Sequence, residues 1–133
     1  MTKQEHIVYW IKTAKEDWKA VQSMYNSKVY IHALFFAHLV LEKLCKAHWV
    51  KDNIDNTPPK IHNLITLISK TNFQLPDADK EFMYSMNQFQ LEGRYPDYKL
   101  DLQKRYKSAQ TKKILEQVNN IRKCLLKDLP SVK

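Results

Sequence analysis

The chain has 133 residues, 44% hydrophobic and 27% charged, enough for one compact core, which excludes a disordered chain and predicts a single domain over residues 1–133. Its single glycine, Gly93, stands where average usage of about 7% would give roughly nine, and this excludes hairpin-rich β folds, collagen and Gly-rich phosphate loops. The formal charge of +8 is uneven: Lys and Arg outnumber acids 8 to 4 in residues 1–51, trail 4 to 7 in residues 52–97 and lead 10 to 3 in residues 98–133.

Along the chain, Ile7, Trp10, Ile11, Ala14, Trp18, Val21 and Tyr25 recur at helical spacing opposite Lys12, Lys15, Glu16 and Lys19, the pattern of a long amphipathic helix. A second helix over residues 29–51 is apolar nearly all round in its first half, which marks it as central. Its uncharged run Val29–Leu41 contains His32 and His38 and falls short of the ~18 residues of a membrane span. Asn53–Lys60, with Pro58 and Pro59, reads as a loop. A short helix follows over residues 61–70, and after Pro76 a further helix is expected to be capped by Asp77, to run through Phe89 and to stop at Gly93 in a left-handed conformation. Pro96 breaks the chain, and a last helix is expected over residues 102–126, with Ile114, Val118, Ile121 and Leu125 inward and Lys104, Arg105, Lys112, Arg122, Lys123 and Lys127 largely outward. Short connections between long helices favour an all-α, up-and-down antiparallel bundle of four long helices plus one short one.

Cys45 and Cys124 both fall in helical patterns and read as buried small hydrophobes of a cytoplasmic protein. The start MTKQEHIVYW lacks an apolar h-region and a cleavage site, which argues against secretion. No C-x-x-C or H-x-x-x-H spacing offers a metal site, and no nucleophilic triad is visible.

Three places could carry chemistry. Glu42 and Lys46 form an i, i+4 pair in the favourable order, expected on a solvated face, while Lys43 and Lys46 together could offer two ammonium groups to a phosphate or an acidic partner. His62 follows the Pro-Pro loop and reads first as a capping or hydrogen-bonding residue. In Leu91-Glu92-Gly93-Arg94-Tyr95-Pro96-Asp97-Tyr98, Pro96 forces Tyr95 into extended backbone, so Arg94 and Tyr95 are presented from a stiff loop. There Arg94 offers a planar fork to phosphate and Tyr95 a face to a base, unless Arg94 is tied to Asp97 or to helix carbonyls and Tyr95 lies in the core. Asp17 is the one acid on an apolar face, suited to holding a core Tyr or Lys.

Taken in order, Trp10 and Asp17, Tyr30 and Ala33, Glu42-Lys43-x-x-Lys46-Ala47, Pro59-x-x-His62-x-Leu64 and Arg94-Tyr95-Pro96-Asp97 resemble the HEPN family (higher eukaryotes and prokaryotes nucleotide-binding) over nearly the whole chain. The resemblance implies a four- or five-helix up-and-down bundle, usually a homodimer, often encoded beside a small nucleotidyltransferase of the DNA polymerase β type. Ribonuclease and toxin members carry R-x(4-6)-H, acting on RNA at a dimer cleft without metal. Here the histidines are His6, His32, His38, His48 and His62, and the arginines are Arg94, Arg105 and Arg122, so every His precedes every Arg and the motif is absent. Tyr98, Lys99, Leu100 and Asp101, which follow Arg94 at the corresponding places, do not replace imidazole as a neutral-pH acid or base.

The Arg-Tyr-Pro-Asp form resembles the non-nuclease branch. It implies a non-catalytic module, without a cofactor, that binds a nucleotide or a nucleotidyltransferase partner. The expected contacts are Arg94, Tyr95, Lys43, Lys46 and His62, with Gly93, Pro96 and Asp97 shaping the loop. Two alternatives remain at this stage: a ribonuclease in which folding brings His62 to Arg94, and a nucleic-acid binder that uses the basic last helix. Because 19 of the 22 basic residues are Lys, a base-reading DNA binder is disfavoured.

Overall fold

The computed structural model describes residues 1–92 and 94–132. Among these the protein is all-α: α1 (Lys3–Asn26), α2 (Tyr30–Asp52), α3 (Leu64–Ile68), α4 (Asp77–Met86) continued by a 3-10 turn (Asn87–Phe89), α5 (Pro96–Arg105) and α6 (Ser108–Lys127). Thr2 opens α1 with a capping box, its hydroxyl accepting from the Glu5 amide while the Thr2 amide donates to the Glu5 carboxylate. Lys3 Nζ then donates to the carbonyls of Val50 and Asn53 at 2.6 and 2.7 Å, fastening the start of α1 to the end of α2, so the two run antiparallel. Tyr25 meets Ser108 at one end of the bundle and His48 meets Leu125 at the other, so α6 runs alongside α2 and against α1.

The second helix is the centre of the molecule, as its all-round apolarity requires. Ala33, Leu34, Ala37, Val40, Leu41, Cys45, Ala47 and Val50 are fully buried, and α1, α3, α5, α6 and the 3-10 turn all pack on this helix. Val118, Ile121 and Leu125 of α6 are buried against it, while Lys112, Lys123 and Lys127 face solvent. No helix is long and apolar enough to cross a membrane among the described residues.

Local boundaries differ from the sequence expectations in five places. The short helix is confined to Leu64–Ile68 because Asn63, not His62, caps it, accepting from the amides of Ile65 and Thr66. Asp77 lies inside the first turn of α4, with Pro76 at the cap, and its carboxylate serves the helix dipole instead of a capping bond. That helix has already ended by Phe89, with Gln90 in extended backbone, so Gly93 does not terminate it; the left-handed turn expected at Gly93 itself lies outside the described residues.

Pro96 begins a helix where a break was expected, taking the first helical position, which needs no amide donor. The expected single last helix is therefore two, α5 and α6, parted at Tyr106 and Lys107. No proline or glycine parts them. Tyr106 leaves helical geometry to set its ring edge-on to Phe89, centroids 5.0 Å apart, and to donate its hydroxyl to Gln88 Oε1 at 3.1 Å. The bundle thus has three long helices and three shorter ones.

One cysteine also departs from expectation. Cys45 is buried and its thiol pKa is pushed far up by burial, whereas Cys124 is exposed on the outer face of α6. Titration of the native protein with a thiol-specific disulfide reagent should give one fast equivalent, abolished by Cys124→Ser, with the second released only on unfolding.

Candidate functional site

The most concentrated polar chemistry lies where α2 meets the start of α3 and the chain entering α5. Glu42, 4% exposed, projects from the middle of the central helix and is the hub. Its Oε2 accepts from Lys46 Nζ at 3.0 Å and its Oε1 from His62 Nδ1 at 3.0 Å, with His38 Nδ1 3.8 Å from the same oxygen. Positions 38, 42 and 46 are one turn apart on a single face of α2, so one helix supplies three members. His62 arrives from the loop that the Pro-Pro pair delivers to α3.

Beyond His62, its Nε2 lies 3.6 Å from Glu92 Oε2, two residues before Arg94. Asn87 and Asn63 pin this junction: Asn87 Oδ1 accepts from the Leu64 amide at 3.2 Å, and Asn87 Nδ2 donates to Asn63 Oδ1 at 3.4 Å.

The Glu42–Lys46 pair, expected on a solvated face, is buried. Lys46 is 8% exposed, and its ammonium also lies 5.3 Å from the centroid of the Trp10 ring. Lys43 turns away from it, toward α1, and pairs with Asp17 Oδ2 at 2.6 Å. Asp17 thus holds a lysine, as its placement suggested. Both ammonium groups expected to face a ligand together already carry a carboxylate partner, one on each side of α2.

Arg94 and Tyr95 are exposed. Arg94 Nε donates to the Gln90 carbonyl at 3.2 Å and the guanidinium lies 4.8 Å from the centroid of the Tyr98 ring, whose hydroxyl donates to the Gln88 carbonyl at 2.7 Å. Asp97 forms no ion pair with Arg94 among the described residues, and Tyr95, 79% exposed, is not in the core. The arginine plane is held from behind, by a carbonyl and a ring, with its terminal nitrogens forming no hydrogen bond to the described residues.

The sequence did not single out Glu92 or Asn87. Neither lies in a periodic pattern with His62, and only the fold brings positions 42, 62, 87 and 92 together. His38 was visible as the residue one turn before Glu42.

A family model described as the HEPN domain matches residues 7–129. The chain belongs to the HEPN domain family. No curated protein and no solved structure matches it. In this HEPN domain the Glu42–His62 cluster reaches Glu92, two positions before Arg94 in the chain. Among the described residues no group of His, Cys, Asp and Glu is arranged to hold a metal ion.

Two histidines on α2 make the fold sensitive to acid. Burial holds the pKa of both His38 and His48 below the ordinary imidazole value, His38 against the attraction of Glu42 and His48 against its own bond from Nε2 to the Leu125 carbonyl at 2.8 Å. The unfolded chain takes up protons at these positions as the pH drops below about 6.5, and the folded one does so only at lower pH. Stability is therefore fully present above about 6.5 and declines on acidification through the folded-state values. The urea midpoint should fall between pH 7.5 and pH 5, and the fall should be smaller in His48→Gln.

Removing the hub leaves Lys46 buried without its partner, so Glu42→Ala should cost about 3–5 kcal/mol in urea unfolding. Glu42→Leu combined with Lys46→Met should recover a large part of that loss.

Proposed function

We propose that this HEPN domain is a non-catalytic binding module that takes a nucleotide, alone or carried by a nucleotidyltransferase partner, as a homodimer, with Arg94 and Tyr95 as its contacts. The observation that carries the reading is the state of Arg94. Its guanidinium is oriented by the Gln90 carbonyl and the Tyr98 ring and is paired with no carboxylate of the described residues, the condition a phosphate requires. Tyr95 beside it presents an exposed ring of the kind on which a base stacks. Lys43 and Lys46 act in this reading from behind, holding Asp17 and Glu42, and Glu42 in turn orients His62 at the edge of the site. The absence of any His after Arg94 favours binding over RNA cleavage.

At a nucleotide concentration ten times the dissociation constant, linkage adds about 1.4 kcal/mol to stability. ATP, GTP, CTP or UTP at millimolar concentration should therefore raise the melting temperature by a few degrees, and Arg94→Ala should abolish the shift. No shift with any of the four would refute nucleotide binding. Sedimentation velocity would test the dimer, and a monomer at all concentrations would refute that part.

One observation favours a second reading. His62, half-exposed, donates from Nδ1 to a buried carboxylate, the pairing of a general base with its orienting group, and its Nε2 lies 3.6 Å from the exposed Glu92. A metal-independent ribonuclease built on His62 should degrade total RNA in EDTA, and both His62→Ala and Arg94→Ala should stop it. Equal degradation by all three proteins would mean a contaminating nuclease.

A further inference from the structure

Between the start of α2 and α5 lie two adjoining hollows, of about 400 and 270 Å³, which share Ile31, His32 and Gln103 and so form one groove. Its floor is apolar, with Ile31 and Phe35 from α2, and Val29 at its mouth is 41% exposed. Its rim is cationic. Lys28 comes from the α1–α2 turn, Lys99 from α5 and Lys107 from the joint between α5 and α6, three elements that only the fold brings together. None of the three lysines forms an ion pair or a side-chain hydrogen bond among the described residues, and the one acid lining the groove is Glu92 at its far end.

Lys28 adds an independent observation. It follows the α1 C-cap Ser27 and has φ 64°, the left-handed conformation that glycine or asparagine takes there at least cost. Ending the helix needs that conformation but not a lysine. What a glycine at this position would lack is the ammonium on the groove.

We propose that this groove is a docking site for an acidic amphipathic segment of a partner protein. Apolar side chains of the segment fill the Ile31–Phe35 floor while its carboxylates meet Lys28, Lys99 and Lys107. This is the helix-in-groove mode of recognition with charge complementarity at the rim. A nucleic acid fits less well. The groove holds no arginine fork, and its two tyrosine rings are engaged within the fold, Tyr106 edge-on to Phe89 and Tyr30 against Tyr25. The groove adjoins the Arg94 segment at Glu92, but neither Arg94 nor Tyr95 lines it.

A phage-displayed library of random 16-residue peptides, selected on the intact protein, tests this. The enriched peptides should carry several Asp or Glu among apolar residues spaced three and four apart. A synthetic copy of the most enriched one should bind at least tenfold more weakly, by fluorescence anisotropy, to Lys99→Glu/Lys107→Glu, and several-fold more weakly to Lys28→Gly. Lys28→Gly should melt at the same or a higher temperature than the parent, which separates lost binding from lost folding. The ATP shift should survive in Lys99→Glu/Lys107→Glu, so failure here and failure of nucleotide binding are read independently.

Four results would each overturn the proposal. One is enrichment that shows no acidic bias or binds parent and double variant alike. Another is binding of a fluorescein-labelled twelve-uridine RNA that the double variant loses, with no acidic peptide selected, which would assign the groove to nucleic acid. A third is a monomer–dimer equilibrium that the double variant abolishes, which would assign it to a second copy. The last is a lowered melting temperature for Lys28→Gly with peptide affinity unchanged.

Discussion

Everything in this molecule is arranged around one helix, α2, most of whose residues are buried. Because α1, α3, α5, α6 and the 3-10 turn pack on α2, a polar group it carries counts against the fold unless a neighbour answers it, and both ring nitrogens of His38 and Nδ1 of His48 are buried without a hydrogen bond among the described residues. Four such residues are buried in it, His38, Glu42, Lys46 and His48, all under 9% exposed. Glu42 answers Lys46 within the helix and reaches His62 outside it, and His48 reaches the Leu125 carbonyl near the end of α6. The polar residues of α2 therefore do what its apolar ones cannot, which is to fix where the α3 loop and the last helix sit relative to it. Apolar contact alone is less directional and would tolerate sliding.

The same constraint shapes the candidate site. A buried carboxylate that holds a half-exposed imidazole is a link from the core to solvent, and its outer end lies against Glu92, within two residues of Arg94. The Arg94 segment is fixed from the other side by Tyr98 and Tyr106, whose hydroxyls converge on Gln88. Membership of the HEPN family and the missing R-x(4-6)-H histidine then bear on Arg94, which is kept oriented and meets no carboxylate among the described residues.

Much of this was legible before any coordinates. The 3.6-residue periods of α1 and α6, the all-round apolarity of α2 and the loop at Pro58-Pro59 are local properties of the chain, and helices report their buried face directly through such spacing. The family motifs were legible for the same reason, since each is a short contiguous string. What failed were boundaries set by partners distant in sequence. The break at Tyr106 has no breaker residue, because its cause is the ring of Phe89 and the amide of Gln88. The burial of Lys46 was hidden because a Glu–Lys pair at i, i+4 looks the same on a solvated face as on a face covered by Trp10. Cys124 was misplaced because it neighbours the buried stripe of α6 without belonging to it.

The sequence by itself determined the fold class, the central place of α2 and the family, because these follow from composition, periodicity and contiguous motifs. Only the tertiary structure decided which charges are spent and which are free. Lys43 and Lys46 are matched by carboxylates on opposite sides of α2, Arg94 is held by a carbonyl and a ring, and Lys28, Lys99 and Lys107 gather around one groove with no ion pair among the described residues. Charge pairing acts over a few ångströms in space, and residues 17 and 43, or 42 and 62, come that close only after the helices have packed.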